Sequence, residues 1–358
     1  MKIMTILGTR PEIIRLSLVI SKLDLISYHV LVNTGQNYEE CLNDIFFKEL
    51  KVRKPDHALG IRADTSGEQI GNIIIETEKI MIKEKPDRIL ILGDTNSGLS
   101  SIAAKRLKIP VYHMEAGNRC YDDAVPEEVN RRIIDHSSDI LMPYTNRSKE
   151  NLLREGIAKE KIFVTGNPIY EVLEFNKNAI DASNIFSKLN LETKKYFLVT
   201  IHRTENVDVK SRLESLINSL DALSQKYDLP VICSLHPRTK SAMEKLEISF
   251  EHKHVKYLVP PGFFDFIALE KNALCVLSDS GTVQEECCLF HVPNITLRDV
   301  TERPETIECG SAILTGVSEE NILATVSLVI NKSTDWKAPS EYLVPDVSDR
   351  VVKILLGH

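Results

Sequence analysis

The sequence predicts an α/β protein with two doubly wound parallel sheets, one in each half of the chain. Short apolar runs, which are typical of buried strands, alternate with amphipathic stretches of helical length along most of the 358 residues. This alternation stops in a polar region at residues 174–193 and then begins again. At about 150 residues per domain, a chain of this length also predicts two domains.

The first half predicts strands joined by helical crossovers. Strands without polar alternation indicate a parallel sheet covered on both faces, with right-handed connections. The predicted strands are Lys2–Leu7, Tyr28–Val32, Arg88–Leu92, Val111–Met114, Ile140–Met142 and Ile162–Val164. The predicted helices are Pro11–Leu23, Gly67–Lys83, Ser97–Leu107 and Glu127–His136.

The second half repeats this organisation. The predicted strands are Tyr196–Ile201, Pro230–Leu235, Val255–Leu258, Leu274–Ser278 and Ile295–Leu297. The predicted helices are Ser211–Tyr227, Phe264–Lys271, Thr282–Phe290 and Glu319–Ile330. We predict an N-terminal Rossmann-like domain at residues 1–166, a second one at 167–341, and a C-terminal helix within 342–358 that packs back on the first domain.

Composition excludes several classes of function. Lys plus Arg number 44 and Asp plus Glu 51, which gives a net charge of −7 and argues against a nucleic-acid partner. No apolar run approaches the roughly 18 residues of a membrane span, and the N-terminal run is too short for a signal peptide. We therefore expect a cytoplasmic protein without membrane association. Seven cysteines without CxxC spacing predict reduced thiols and no zinc site.

Three acidic residues follow the strands of the first half. In open α/β sheets, ligands bind beyond the carboxyl ends of the strands, where Asp94, Glu115 and Glu127 are expected. Asp94 also suits a helix cap, and Glu127 suits the first turn of a helix. Repulsion among three acids would favour general acid–base chemistry. A Mg²⁺ site is the competing interpretation, which the nearby arginines disfavour; these are Arg119, Arg131 and Arg132.

Cationic and phosphate-binding features follow the strands as well. Arg10 lies beside the first turn of a helix, and His202 and His236 each precede an arginine. The run Ser280-Gly281-Thr282 opens a helix, so its backbone N–H groups can hold a phosphate.

Two further residues complete a predicted nucleotide site. Glu286, one turn into that helix, can accept both hydroxyls of a ribose, and Arg303 suits a phosphate. No GxxxxGK[ST] or GxGxxG motif occurs, which disfavours a kinase or a dinucleotide dehydrogenase. Carboxylates facing a diphosphate and ribose site predict chemistry on a nucleotide-activated sugar.

Ordered motifs along nearly the whole chain resemble the non-hydrolysing UDP-N-acetylglucosamine 2-epimerase family. They are GTRPE at 8–12, GDT at 93–95, EAG at 115–117, PEEVNR at 126–131, GN at 166–167, HR at 202–203, DSG at 279–281, QEE at 284–286 and TERPE at 301–305. The resemblance implies a glycosyltransferase-B-like fold with UDP held mainly by the second domain. It also implies a homodimer, no cofactor and no metal.

The resemblance assigns roles to the motif residues. It implies acid–base roles for Asp94, Glu115 and Glu127, and a catalytic role for His202 near the diphosphate. The residues that it implies as UDP ligands are Arg10, His236, Phe266, Ser280, Gly281, Thr282, Glu286 and Arg303. Phe266 is expected to pack on the uracil, and helix core is the alternative for this side chain.

Two departures from the family pattern bear on the substrate. The segment between EAG and PEE is two residues shorter than in the GlcNAc type, and with 279–290 and 297–311 it resembles the branch that forms UDP-N-acetyl-L-fucosamine from UDP-2-acetamido-2,6-dideoxy-β-L-talose. This chain carries Gln36-Asn37 and Arg15 where members activated by UDP-GlcNAc carry Gln-His and Lys, so such activation is not expected. The alternatives are a UDP-GlcNAc/UDP-ManNAc 2-epimerase and, from a different class, a non-catalytic UDP-sugar sensor.

The family resemblance also implies a mechanism and a pathway. UDP is eliminated across C1–C2 to give a 2-acetamidoglycal and is then added back, which inverts C2. The products of this reaction serve capsule or O-antigen synthesis.

Overall fold

The described residues form two units. A computed structural model describes residues 1–35, 40–250, 254–332 and 335–357. Unit 1 comprises Met1–Phe175 and the segment from Ser340 onward, and unit 2 comprises Asn176–Pro339. The sequence analysis places the first boundary at 166/167, before the helix Ile169–Phe175. That helix packs on Arg10–Ile26, which groups it with unit 1.

Unit 1 contains a parallel sheet between helices. Among its described residues the strand order is β3-β2-β1-β4-β5-β6. The strands are β1 Lys2–Leu7, β2 Tyr28–Asn33, β3 His57–Ala58, β4 Arg88–Leu92, β5 Val111–Met114 and β6 Ile140–Met142. The helices, numbered along the chain, are α1 Arg10–Ile26, α2 Glu40–Glu49, α3 Ser66–Glu84, α4 Ser101–Arg106, α5 Pro126–His136, α6 Asn146–Arg154, α7 Ile169–Phe175 and, at the C-terminal end, α17 Val347–Gly357.

Unit 2 has the same architecture, and its described strands pair in the order β12-β11-β10-β7-β8-β9. The strands are β7 Phe197–Ile201, β8 Val231–Leu235, β9 Val255–Leu258, β10 Cys275–Ser278, β11 Asn294–Thr296 and β12 Ala312–Leu314. The helices are α8 Lys177–Asp181, α9 Ile185–Leu189, α10 Thr204–Val207, α11 Lys210–Tyr227, α12 Pro237–Lys245, α13 Phe263–Asn272, α14 Gly281–Phe290, α15 Pro304–Glu308 and α16 Glu319–Val329.

The α/β prediction with two parallel sheets is confirmed. All strand pairs described in both sheets are parallel. The run Ile162–Val164, predicted as a strand, forms only an isolated bridge between Leu141 and Ile162. The short strands β3 and β12 were not predicted, because a run of two or three residues is too short to show the periodicity of a strand. No helix within the described ranges combines the length and apolarity of a membrane span.

Each sheet has one switch point where the strand order reverses. In unit 1 it lies between β1 and β4, and in unit 2 between β7 and β10. Crossovers leave the two neighbouring strands toward opposite faces at such a point, which opens a crevice at their carboxyl ends. The turns that carry Arg10, Asp94, His202 and Ser280 are therefore the ones that adjoin these crevices.

A buried carboxyl group joins the two turns at the unit 1 switch point. Glu12, which is 1% exposed, accepts hydrogen bonds from the backbone N–H groups of Gly8 (3.1 Å) and Thr9 (2.8 Å). It also accepts from the hydroxyls of Thr9 (2.7 Å) and, from the turn after β4, Thr95 (3.2 Å). Burial raises the pKa of Glu12 to about 7, although these four hydrogen bonds act to lower it.

The turn after β5 requires a glycine at position 117. Gly117 has φ +81°, and a Cβ there would lie 2.2 Å from the carbonyl oxygen of Ser148 and 2.8 Å from Cγ of Leu152. Gly156 has a similar φ of +85° but nothing within 4 Å of a Cβ. Both positions need a residue that tolerates a left-handed backbone, but only at Gly117 would a Cβ also clash with neighbouring atoms.

We predict that Gly117→Ala is much more destabilising than Gly156→Ala. Strain at positive φ costs about 1 kcal/mol in Gly156→Ala, and Gly117→Ala adds the clash, for a total of at least roughly 3 kcal/mol. Urea unfolding of the two variants measures the difference. Equal losses in the two variants would contradict the close packing of Gly117 on α6.

We predict that Glu12 makes the protein less stable as the pH rises toward 8. Its folded-state pKa of about 7 exceeds the ordinary 4.5, so the folded protein retains a proton that the unfolded chain has lost. This contribution is complete below pH 4.5 and disappears as the pH rises through 7. Melting temperatures of the wild type and Glu12→Gln, compared from pH 5 to 8, should show the wild type losing more. A constant difference between the two proteins would rule out this titration.

Candidate active site

Asp94 lies in the turn after β4 and is paired with an arginine. Its Oδ2 accepts from Nε of Arg131 (2.8 Å) and lies 2.6 Å from Nη2 of the same guanidinium. Arg131 comes from α5, and Asn130 of that helix donates to the main-chain oxygen of Asp94 (3.0 Å). The turn after β4 is thus fastened to α5 by two consecutive side chains.

Glu115 directly follows β5 and has a left-handed backbone. Its φ is +64°, a region that non-glycine residues rarely adopt and that is concentrated at functional sites. The side chain is 8% exposed, and Oε2 forms an ion pair with Nη1 of Arg15 (2.9 Å). Oε1 accepts from Nδ2 of Asn118 (3.2 Å). The backbone at Glu115 directs this carboxylate toward the turn after β4, where a Cβ added to Gly93 would lie 3.9 Å from Oε2.

Glu127 lies in the first turn of α5 and is partly exposed. Side chains three and four positions apart share one face of a helix, so Glu127 lies on the face that carries Asn130 and Arg131. That face contacts the turn of Asp94. The described residues of unit 1 therefore gather the three predicted acids around the carboxyl ends of β4 and β5.

Arginines modify the electrostatics that the sequence predicts. Repulsion among the acids was the expected effect, but Arg131 and Arg15 place a positive charge directly against Asp94 and Glu115. Arg119, in contrast, is turned into the core, where it pairs with Asp135 (2.8 Å) and Glu155 (2.6 Å). Arg132 forms an ion pair with Asp123, which is 69% exposed.

The second glutamate of the PEE motif has a structural environment. Glu128 is fully buried and accepts from the backbone N–H groups of Cys120 and Tyr121 (3.0 Å each) and from Nη1 of Arg131 (2.7 Å). Burial acts to raise the pKa of Glu128, but these hydrogen bonds and the arginine outweigh it and hold the pKa below its usual value. Glu128 thus holds the loop before α5, whereas its neighbour Glu127 reaches solvent.

Arg10 opens α1, and its guanidinium lies 5.7 Å from the ring centroid of Phe46. An aromatic face orients a guanidinium and leaves its N–H groups directed outward. This arrangement suits the anion-binding role predicted from the sequence. The Gln36-Asn37 pair, from which the regulatory departure was inferred, lies outside the described residues.

His202 follows β7 and is held by a buried aspartate. Asp279, which is 0% exposed, accepts from the backbone N–H groups of His202 (3.1 Å) and Arg203 (3.0 Å) and from Nδ2 of Asn206 (3.1 Å). Nδ1 of His202 lies 3.2 Å from Oδ1 of Asp279. A carboxylate at Nδ1 selects the tautomer with its proton on that nitrogen, so Nε2 is the nitrogen that can exchange a proton.

His236 lies beside His202 and caps a helix. The ring centroids are 5.6 Å apart, and Nδ1 of His236 accepts from the backbone N–H of Arg238 (3.2 Å) at the start of α12. An accepting Nδ1 places the proton of the neutral ring on Nε2, which makes Nε2 a hydrogen-bond donor. The two histidines of unit 2 are therefore brought together, as their positions after neighbouring strands predict.

The start of α14 lies against the segment that carries Arg303. A Cβ on Gly281 would lie 2.5 Å from Oε1 of Glu302 and 3.9 Å from Nη2 of Arg303, so a larger residue would displace the Glu302 carboxylate. The Ser280 hydroxyl lies 3.1 Å from the Thr282 hydroxyl. Backbone N–H groups of a helix start, two hydroxyls and a guanidinium thus converge in unit 2, which is the arrangement that binds a phosphate.

Buried acids hold the arginines of this segment. Nε of Arg303 lies 2.5 Å from Oε1 of Glu285, and Arg303 is 5% exposed. Glu302 lies 2.8 Å from Nη1 of Arg298 and 3.4 Å from Nη2 of Arg203. Buried charges are tolerated when they are paired in this way. The pairing fixes the direction of the guanidinium of Arg303 before any ligand binds.

Glu286 and Phe266 complete the set of predicted UDP ligands. Glu286 is 4% exposed and lies in α14, behind the helix start. Phe266 lies in the first turn of α13 and is partly exposed, whereas Phe263 of the same turn is buried. A partly exposed aromatic ring at a helix start can stack on a base. Packing of Phe266 on the uracil therefore stays a prediction.

Sequence reasoning missed the supporting residues. Asp279 was quoted only as part of a motif, and Arg15 only as a departure from the family pattern, yet they hold His202 and Glu115. Glu12 was not singled out, although it bonds two strand-end turns. The signal for these residues is a charged side chain within an otherwise apolar helix face or directly after a buried strand.

Comparisons with known proteins identify the family. A family model described as UDP-N-acetylglucosamine 2-epimerase matches residues 24–356. The UDP-N-acetylglucosamine 2-epimerase of Methanocaldococcus jannaschii is 44% identical over 99% of both chains. The UDP-2,3-diacetamido-2,3-dideoxy-D-glucuronate 2-epimerase of Pseudomonas aeruginosa is 36% identical over 93% of each.

Solved structures lead to the same family. The M. jannaschii UDP-GlcNAc 2-epimerase crystallised with UDP-GlcNAc and UDP superposes with a TM-score of 0.96, at 42% identity over the whole of both chains. The glycosyltransferase WaaG, at 12% identity and a TM-score of 0.60, shares the fold alone. The fold is glycosyltransferase-B-like, as the sequence predicted. The chain belongs to the UDP-N-acetylglucosamine 2-epimerase family and is an isomerase.

Proposed function

We propose that the protein inverts C2 of a UDP-2-acetamido sugar by eliminating UDP and adding it back. The observation that carries the proposal is that Asp94, Glu115 and the helix face of Glu127 gather around the carboxyl ends of β4 and β5. Family membership supports the UDP-sugar 2-epimerase reaction as the chemistry of these acids.

The proposed reaction couples removal of the C2 proton to the departure of UDP. The hydrogen on C2 of an N-acetyl sugar has no adjacent carbonyl to acidify it. In the forward step a carboxylate removes this proton while the bond between C1 and the UDP oxygen breaks, which leaves a 2-acetamidoglycal with a C1–C2 double bond. UDP then adds to C1, and a proton returns to C2 on the opposite face. Atoms and charge balance without a redox cofactor.

Unit 1 supplies the proton chemistry in this proposal. The paired arginines direct the carboxylates of Asp94 and Glu115, while Glu127 on the same helix face as Arg131 provides a further carboxyl group within the cluster. Two acid–base groups are needed, since a proton leaves one face of C2 and returns to the other. General acid–base groups of this kind contribute roughly 10²–10⁴-fold to a rate.

Unit 2 supplies the binding of UDP in this proposal. The start of α14 at Ser280, Gly281 and Thr282, together with Arg303, would stabilise the diphosphate as negative charge develops on it. His202, oriented by Asp279, would in its imidazolium form donate the proton on Nε2 to the departing diphosphate. The remaining proposed ligands in unit 2 are His236 for phosphate oxygens, Glu286 for the ribose and Phe266 for the uracil. Arg10 of unit 1 is a further proposed phosphate ligand.

The proposed substrate is UDP-2-acetamido-2,6-dideoxy-β-L-talose, which would yield UDP-N-acetyl-L-fucosamine. The shortened segment between EAG and PEE and the runs at 279–290 and 297–311 support this branch. UDP-GlcNAc is the second candidate, because the 44% identical relative is named UDP-N-acetylglucosamine 2-epimerase. Capsule or O-antigen synthesis would consume the product, and the proposed assembly is a homodimer.

We predict that the enzyme converts the L-talose substrate in D₂O and places deuterium at C2 of the product. Elimination and re-addition must exchange the C2 proton with solvent, whereas a retaining glycosyltransferase leaves it in place. Proton NMR of parallel reactions with UDP-GlcNAc separates the two candidate substrates. Inverted product without deuterium would exclude the elimination, and binding without turnover on both substrates would favour the UDP-sugar sensor. Net accumulation of UDP would indicate a hydrolysing epimerase.

We predict that Asp94→Asn, Glu115→Gln and Glu127→Gln each lower kcat by about 100-fold or more, with a similar Kd for UDP. Each substitution removes a proton-transfer group from unit 1 and leaves the proposed UDP ligands of unit 2 intact. Turnover assays and calorimetric titration with UDP measure the two quantities.

Two control variants accompany this series. Glu76→Gln changes a partly exposed acid on α3 that pairs with Lys79, and it should leave kcat unchanged. Glu128→Gln should lower the melting temperature instead, because Glu128 holds the loop before α5. Wild-type turnover in all three acid variants would remove unit 1 from the chemistry.

A further inference from the structure

Two buried carboxyl groups adjoin each other inside unit 2, and the chemistry proposed above uses only one of them. Glu270 of α13 is 0% exposed and Glu286 of α14 is 4% exposed. The two helices pack on each other. Moving carboxylates from water into a protein interior is costly unless they are paired or neutralised. A pair of acids in this position therefore needs a physical explanation.

The hydrogen bonds of Glu270 leave one oxygen for its neighbour. Oε1 accepts from the thiol of Cys287 at 3.2 Å. Oε2 is buried and meets no donor among the residues that the structure describes. Glu286 adjoins Glu270 closely enough for the two carboxyl groups to share a hydrogen bond. Two ionised carboxylates are acceptors only, so a hydrogen bond between them requires one proton.

The proton belongs on Glu270. Complete burial, followed by the negative charge of Glu286, raises the pKa of Glu270 well above its usual value. Burial also raises the pKa values of the neighbouring Tyr196 and Cys287, so these groups stay neutral as well. The nearby cation is Lys194, which donates to the main-chain oxygen of Ala273 at 2.9 Å and whose pKa is lowered by burial.

Charged side chains on the other packed elements are occupied at the surface. Helices α8 and α9 pack on α13. Two of their charged groups pair with residues of α13: Asp181 lies 2.9 Å from Lys271, and Lys188 lies 3.9 Å from Asp265. The two charges of each pair compensate each other at the surface.

We propose that Glu270 is a positioning residue that, as a neutral carboxylic acid, donates a hydrogen bond to the Glu286 carboxylate and orients it toward the ribose hydroxyls of UDP. The inference rests on the proposed function, in which Glu286 is the ribose ligand. One oxygen of Glu286 accepts the proton of Glu270, and the lone pairs that remain accept the two hydroxyls. The donor is needed because a carboxylate at the end of a flexible side chain has no preferred direction of its own.

The test compares UDP with 2′-deoxy-UDP on four proteins. They are the wild type, Glu270→Gln, Glu270→Leu and the exposed control Glu320→Gln on α16. A hydrogen bond between a hydroxyl and a carboxylate is worth about 1.5–3 kcal/mol, so the wild type should prefer UDP by about 10-fold or more. Glu270→Gln retains a donor and should keep this preference, as should Glu320→Gln. Glu270→Leu removes the donor, and its preference should fall toward unity.

A pH series provides a second readout that a merely structural role would not change. As the pH rises, the wild type loses the proton of Glu270, and two adjacent carboxylates repel each other. The preference for UDP over 2′-deoxy-UDP should therefore fall at alkaline pH in the wild type. It should stay constant in Glu270→Gln, whose amide donates at every pH. This series decides the question even if Glu270→Leu does not fold.

The outcomes separate this inference from the function on which it rests. Failure of the wild type to bind UDP would overturn both. Binding of UDP with no preference over 2′-deoxy-UDP would overturn the role of Glu286 and of Glu270 with it. A preference that is lost in Glu286→Gln but intact in Glu270→Leu, or a pH response shared by Glu270→Gln, would overturn the positioning role and leave the UDP site standing.

Discussion

Buried carboxylates hold the strand-end turns of both units in place by accepting hydrogen bonds from backbone and side-chain donors. Asp279 in unit 2 accepts hydrogen bonds from the backbone N–H groups of His202 and Arg203 and from the side chain of Asn206, and it also lies beside the ring of His202. Asp135 in unit 1 accepts from the backbone N–H of Gly117 (3.1 Å), from His113 (2.9 Å) and from Arg119 (2.8 Å). A buried charge is stable only when it is satisfied in this way, so each carboxylate fixes the turn around it. The groups proposed for catalysis and binding take their positions from these turns.

Much of this organisation follows from the sequence because strand-end positions are local properties. The apolar runs predicted β1, β4, β5 and β8 to within a residue, and residues that follow strands of one parallel sheet must gather at one edge. The contacts across that edge are not local. The pairing of Arg15 with Glu115 joins residues that lie 100 positions apart, and no periodicity in the sequence encodes it. The left-handed backbone of Glu115 is likewise visible only in three dimensions.

The two units divide the proposed chemistry according to their charges. Unit 1 presents acids held by arginines, and unit 2 presents His202 and Arg303 held by acids. In both cases an oppositely charged, buried partner directs the functional group before substrate binds. Such preorganisation lowers the cost of stabilising charge in the transition state, since little reorganisation is left for the moment of reaction.

A crystal structure with UDP and the 2-acetamidoglycal bound tests the central claim most directly, because it locates both halves of the eliminated substrate. We expect the diphosphate at Ser280, Gly281 and Arg303 and the ribose at Glu286. We also expect C2 of the glycal to lie next to a carboxylate of the group Asp94, Glu115 and Glu127. A nucleotide bound elsewhere, or a glycal with none of these acids beside C2, would contradict the account.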